Sequence, residues 1–172
     1  MERRKFLSAT AMFLAGIFVM PKIAATSTNK PEVANTGENI KKLTLSPKEW
    51  QQRLTEKEYQ VLRQEATEPP FSSPLNDEQR VGVFTCAGCD LPLFNSTAKF
   101  KSGTGWPSFY QPIEGHIKTK TDYKLIWPRT EYHCARCGGH HGHVFDDGPP
   151  PTGKRYCNNG VALHFTPSAG RE

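Results

Sequence analysis

VGVFTCAGCDLPLF, residues 81–94, decides the fold. Two short β-prone runs, 81–85 and 91–94, flank a C-x-x-C step at Cys86 and Cys89, and the step returns as CARC at Cys134 and Cys137. Such a step turns two sulfurs toward one ion, and two steps supply the four thiolates of a closed, tetrahedral Zn²⁺ site with no position for water. The 44 residues between Cys89 and Cys134 exceed the roughly 15–20 of a compact zinc ribbon. One structural Zn²⁺ per chain is therefore expected to tie distant strands together rather than to build an independent finger. Two disulfides or iron held by the same sulfurs are the alternatives that the spacing leaves open.

Outward from this stretch, further strand candidates fall at 123–127, 131–133 and 161–165, each bounded by Gly, Pro or Asn. Fourteen glycines and fourteen prolines in 172 residues suit short strands and turns better than a helical bundle. The fold class is mainly β, with two small antiparallel sheets clamped by the four cysteines. No internal repeat stands out apart from the two C-x-x-C units. Ahead of the sheets, Ser46, Pro47 and Glu49 spell an N-cap, a first-turn proline and a capping-box acid, and Thr55 with Glu58 repeats the device. Two short helices follow, one carrying Trp50 and Leu54 inward, the other Tyr59, Val61 and Leu62. TEPPFSSPLND, residues 67–77, is a proline-bent loop. Trp50 and Trp127 are expected in the core, with His116 and His133 as structural histidines.

Residues 1–25, MERRKFLSATAMFLAGIFVMPKIAA, have the layout of an export signal: basic residues, an apolar run, then Pro21 and small residues. The run is short for a bilayer span, which needs about 20 residues. Arg3 and Arg4 before Phe6 and Leu7 resemble a twin-arginine signal. An exported, periplasmic protein is expected, meeting a membrane only through an uncleaved signal. Residues 26–45 read as a flexible linker and 46–172 as the working domain. Of 22 basic and 17 acidic residues, four basic and one acidic lie in the first 25. The 18 and 16 that remain leave about +2, which a four-thiolate site holding a dication brings to about zero. Nucleic acid is not an expected partner.

Cys157 has no partner among the two pairs, and a thiol that is neither paired nor a ligand is a candidate nucleophile. His140, His141, His143 and Arg155 share its stretch and can favour the thiolate if the fold brings them close.

GTGWPSF (103–109), HHGHVFDDGP (140–149) and RYCNNGVALHF (155–165), framed by the C-x-x-C pairs, resemble the methionine-R-sulfoxide reductases of the B type. The resemblance covers about residues 43–167. It implies a β-tent fold and reduction of methionine-R-sulfoxide in peptides and proteins. It makes Cys157 the nucleophile that becomes a sulfenic acid, with His140, His143 and Asn159 around it. Trp106 becomes the wall for the substrate methyl, Phe109 completes the apolar side, and Arg155 with Asp147 forms a supporting ion pair. Oxidised proteins become the substrates, a thioredoxin-type or small-thiol compound the reductant, and a monomer the expected form.

The chemistry asks for these residue types independently. A sulfoxide has a polarised sulfur and a negative oxygen, so its reduction needs a soft nucleophile at one and a proton donor at the other. Many family members carry a resolving cysteine where this chain has Thr104, which leaves the return half of the cycle to an external thiol. His141 replaces a usually apolar residue and is expected at the rim, while Asn158 and Gly160 are further departures. A metal-stapled binding module without chemistry and a thiol peroxidase are the competing classes.

Overall fold

The structure, a computed structural model, describes residues 40–124 and 127–169. The expected export signal, residues 1–25, and residues 26–39 of the expected linker lie outside the described residues. Its last residues do not behave as a tether: Ile40, Leu43 and Leu45 pack against the core, and Leu43 donates its N–H to the Arg136 carbonyl at 2.9 Å.

Both helices begin where the capping chemistry places them. Helix α1, Pro47–Arg53, has Ser46 as N-cap with the reciprocal Glu49 contact. Helix α2, Glu56–Gln64, has Thr55 and Glu58 in the same arrangement. Each box satisfies two of the N–H groups a helix start leaves free. Trp50, Leu54, Val61 and Leu62 are buried and Tyr59 is partly so. No helix among the described residues is long and apolar enough to cross a membrane.

Nine strands follow among the described residues: β1 Gly82–Cys86, β2 Pro92–Asn95, β3 Lys99–Phe100, β4 Ser108–Phe109, β5 Ile117–Asp122, β6 Arg129–Cys134, β7 His140–Phe145, β8 Arg155–Asn158 and β9 Leu163–Pro167. They form a three-stranded sheet, β2-β1-β9, and a six-stranded one, β3-β4-β8-β7-β6-β5. Every pairing is antiparallel. The core lies between the sheets, where Phe94 stacks on Phe109 at 4.2 Å and Phe84 meets Phe109 edge-on at 4.9 Å. Such offset and edge contacts suit the ring quadrupole and add to simple burial.

Of the strand expected over 123–127, the described residues Tyr123, Lys124 and Trp127 are not in a strand. The β5–β6 ladder ends at the pair Asp122 and Arg129, so Trp127 lies beyond the sheet, 79% exposed rather than in the core. The real strand, β5, reads IKTKTD and buries little, because it is an edge. Outward lysines are a usual protection for such edges.

The two C-x-x-C steps fold alike. Cys86 and Cys134 donate their N–H groups to Leu91 and Gly139 carbonyls, each at 2.9 Å, and Asp90 and Gly138 donate back to Cys86 and Cys134 at 2.8 and 2.9 Å. The residue after each second cysteine is left-handed, Asp90 at φ 57° and Gly138 at φ 70°. Glycine takes that conformation without cost and aspartate is among the residues that tolerate it.

Candidate functional site

The two turns bring Cys86, Cys89, Cys134 and Cys137 together, all buried, with their ligand atoms within 4.8 Å of one another. Cys86 Sγ lies 3.6 Å from Cys137 Sγ and Cys89 Sγ 3.5 Å from Cys134 Sγ, and all four thiols are free. A zinc–sulfur bond of about 2.3 Å makes a tetrahedron edge of about 3.8 Å, close to those spacings.

The shell is cationic. Arg53 Nε donates to the Gly88 carbonyl (2.8 Å), Arg63 Nη1 to Cys137 (3.0 Å), Arg136 Nη1 to Cys89 (2.9 Å) and Lys42 Nζ to Ala135 (2.6 Å). Four thiolates around a dication carry a net −2, and four cations beside them offset it.

Cys157 sits on β8, with His143 of β7 and Ser108 of β4 as its cross-strand partners. Directly opposed residues of an antiparallel pair share a face, so Arg155, Cys157, His143, Phe145, Glu131, Arg129 and Asp122 all belong to one face of the six-stranded sheet. The opposite parity takes Phe109 and its partner Tyr156 to the core face. Phe109 is fully buried there and does not line the cleft, a correction to its expected place on the apolar side. Phe145 lines the cleft instead, with the Arg155 guanidinium 4.3 Å over its ring.

His140 and His143, three apart, would point to opposite faces of a regular strand. A bulge intervenes. Tyr132 pairs with Gly142 and the neighbouring His133 with His140, which leaves His141 as an extra residue on β7. That returns His140 to the face of His143, their rings 5.6 Å apart. It also turns His141 inward, 0% exposed and stacked on Tyr132, so His141 is a core residue and not a rim histidine. Burial first, then the nearby His140, brings the His141 pKa down to about 3. Gly142 completes the bulge, since a Cβ there would lie 1.9 Å from the Cys157 carbonyl oxygen.

A cleft of about 190 Å³ opens beside Cys157, lined among others by Trp106, His143, Phe145, Arg129, Thr67 and Asn159. His140 stands behind His143. Cys157 is half-buried; burial raises its pKa, opposed by the Arg155 charge and the Thr104 hydroxyl. Arg155 is itself held by Asp147 through two parallel bonds, 2.8 and 2.9 Å. His143 Nε2 lies 2.8 Å from Asp122 Oδ2, and Arg129 Nη2 donates to that oxygen at 2.6 Å. Burial lowers the His143 pKa, and the Asp122 carboxylate pulls the other way. His140 Nδ1 is 3.0 Å from Glu131 Oε1, out of line for a hydrogen bond, and Lys120 Nζ is 3.2 Å from the other oxygen.

Glu68, in the proline-bent loop, was not singled out by the sequence, yet all its polar atoms are engaged. Its N–H donates to Asn159 Oδ1 (3.0 Å), its carbonyl accepts from Trp106 Nε1 (3.1 Å), and its carboxylate accepts from the Gly160 and Val161 N–H groups (2.5 and 3.0 Å). Asn159 Nδ2 donates to the His141 carbonyl at 3.0 Å, so one residue pins the indole, the carboxamide and, through it, the bulge. Asp122, Glu131, Arg129 and Phe145 were missed as well. The signal that finds them is sheet register, which no local motif carries.

A family model, the SelR domain, matches residues 54–167. The chain is 49% identical over 141 residues to the chloroplastic peptide methionine sulfoxide reductase B1 of Arabidopsis thaliana, covering 81% of this chain and 70% of that one. It is 51% identical over 134 residues to the peptide methionine sulfoxide reductase MsrB of Pseudomonas putida, covering 76% and 99%. With the MsrB of Methanosarcina barkeri it shares 53% over 121 residues, 70% and 85% of the two chains. The match takes in both cysteine turns, the bulged strand and the strand of Cys157, and it establishes that this chain belongs to the SelR domain family.

Proposed function

We propose that this chain reduces methionine-R-sulfoxide in oxidised polypeptides to methionine, with Cys157 as nucleophile. The observation that carries this reading is a half-buried, unpaired thiol on the wall of a small cleft, faced by a carboxylate-held imidazole and by a fixed indole. Cys157 Sγ attacks the sulfoxide sulfur, and the oxygen takes a proton from the His143 side of the cleft. Oxygen then passes to Sγ as the thioether leaves: thiol plus sulfoxide become sulfenic acid plus methionine, the cysteine oxidised and the substrate sulfur reduced by two electrons. His140 backs His143, and Asn159 braces the cleft wall.

Handedness at sulfur is read by three different contacts. The methyl lies on Trp106 and Phe145, the oxygen faces the imidazole and Arg129, and the polypeptide leaves through the cleft mouth. Exchanging methyl and oxygen would bury a polar atom on the indole without a partner, a cost of about 1–3 kcal/mol or more.

A Zn²⁺ held by Cys86, Cys89, Cys134 and Cys137 supplies cross-linking rather than chemistry. The other four cysteines are committed to the buried cluster, so two equivalents of external thiol, from a thioredoxin-type protein or a small thiol, reduce the sulfenic acid and release water and a disulfide. The leader motif suits a periplasmic enzyme that repairs oxidised envelope proteins.

Turnover of separated R and S sulfoxide peptides with dithiothreitol tests the proposal. Only the R form is expected to disappear, and equal consumption of both would refute it.

The pH profile has a definite shape. A neutral thiol with a neutral imidazole carries the same proton count as thiolate with imidazolium, so the active form persists between the two pKa values. Burial moves Cys157 above its ordinary 9.0 and His143 below its ordinary 6.5. The extra proton bound below the imidazole pKa and the proton lost above the thiol pKa each inactivate. A plateau of kcat/KM wider than 6.5 to 9.0 is expected; a narrow bell inside that interval would contradict it.

A further inference from the structure

The cleft beside Cys157 is small next to the roughly 300–1,000 Å³ of pockets that enclose whole ligands. It admits a side chain and little more. Thr67, on its rim, also lines a second and larger hollow of about 880 Å³, bounded by α2, the proline-bent loop and β9. The two hollows therefore adjoin at Thr67.

Three successive residues of β9, Leu163, His164 and Phe165, line the larger hollow. Neighbours on a strand point to opposite faces, so a hollow that touches all three runs along the strand's side. Among the described residues that side is free: in the order β2-β1-β9 the last strand has one neighbour only. The bonds beyond the ladder ends fix which groups face outward. Ser168 donates its N–H to Val81 (2.8 Å) and Ala87 donates to Ala162 (2.9 Å), in the register of the β1–β9 pairs. Bonded pairs alternate along an antiparallel ladder. His164 and Thr166 thus bond β1, while the N–H and C=O of Phe165 turn toward the hollow. Leu163 presents its carbonyl too, its N–H being used by Gly160. Pro167 ends the edge without a donor.

We infer that β9 is the docking edge for the substrate polypeptide, which adds to the three-stranded sheet as an extended strand and sends its oxidised methionine past Thr67 to Cys157. This rests on the reaction proposed above. Backbone pairing along a sheet edge supplies affinity without reading side chains. That suits an enzyme whose substrate is defined by one oxidised residue in any sequence. The walls agree, since Val61, Leu75 and Val161 give apolar contact while Lys57 and Arg80 stand against Glu58, Glu78 and the backbone-bound Glu68, so neither sign dominates strongly. His164 reaches Glu58 at 3.4 Å, an exposed and displaceable contact. The edge is short and proline-ended, which limits unwanted pairing between copies.

The test compares three substrates on the full chain: a blocked methionine-R-sulfoxide, a nine-residue peptide centred on the same residue, and that peptide N-methylated at every second position in both phases. Two added backbone bonds of ordinary net strength correspond to about a tenfold higher kcat/KM for the plain peptide. One N-methylated phase is expected to fall back to the blocked amino acid. The unreactive methionine peptide is expected to slow hydrogen exchange at the Phe165 amide. Both phases reacting as fast as the plain peptide, or an unchanged Phe165 amide at saturating peptide, would overturn the docking edge. The blocked amino acid reads the reaction separately: if it is not consumed, the reaction proposal has failed, and exchange at Phe165 alone decides the docking.

Discussion

Cys157→Ser is expected to abolish sulfoxide reduction while leaving the fold intact. A serine hydroxyl is a hard, high-pKa nucleophile, and it has no counterpart to the sulfenic acid that must receive the oxygen. The loss is therefore complete rather than partial, with no residual turnover above solution reduction by dithiothreitol. Structure gives reason to expect little else to change. Cys157 is partly exposed at the cleft and lies outside the buried set that forms the core. Its backbone pairing with Ser108 and His143 does not depend on the side chain. Losing one sulfur there is a small change away from the core, and such changes stay within about 0.5 kcal/mol. The thermal midpoint and metal content of the variant measure the second half of the claim. Wild-type turnover in the variant would remove Cys157 from the chemistry and return the chain to the class of stapled binding modules.

What was legible in the sequence was local. Ser46 with Glu49 and Thr55 with Glu58 announce helix starts within four residues, and the structure reproduces both boxes. The C-x-x-C turns are equally local, and their meeting follows from the demand of one ion for four ligands. The site strands were harder. Residues such as His140, His143 and Arg155 are polar on the working face, so β7 and β8 lack the apolar alternation that marks a half-buried strand. The bulge at His141 depends on pairing with β6, which is why His141 was placed at the rim and is found in the core. Phe109 fell to the same blindness, its face being set by opposition to Tyr156. Asp122, Glu131 and Glu68 reach the site from other strands or a distant loop, so spacing along the chain says nothing of their partners.

Stripping the metal, or replacing Cys134 by serine, is expected to cost the fold itself. Structural zinc contributes about 10–16 kcal/mol in small zinc modules, against a net stability of about 5–15 kcal/mol for a whole domain. The clamp here joins the end of β1 to the end of β6, strands of different sheets. Without it, burial between the sheets remains, but four bare thiolates repel one another, and protonating them to relieve this removes the charge that the surrounding cations offset. The second turn leads straight into β7, so the bulge that sets His140 beside His143 loosens with it. Activity and cooperative melting are therefore expected to disappear together on treatment with a strong chelator under mild denaturant, and to return together with Zn²⁺. Circular dichroism melts alongside elemental analysis check this. A metal-free chain that melts within a few degrees of the loaded one would mean that the aromatic core between the sheets, rather than the four sulfurs, holds the two halves together. The contrast with Cys157→Ser is the discriminating feature: one cysteine lost from the cleft stops the reaction and spares the melt, whereas one lost from the clamp takes both.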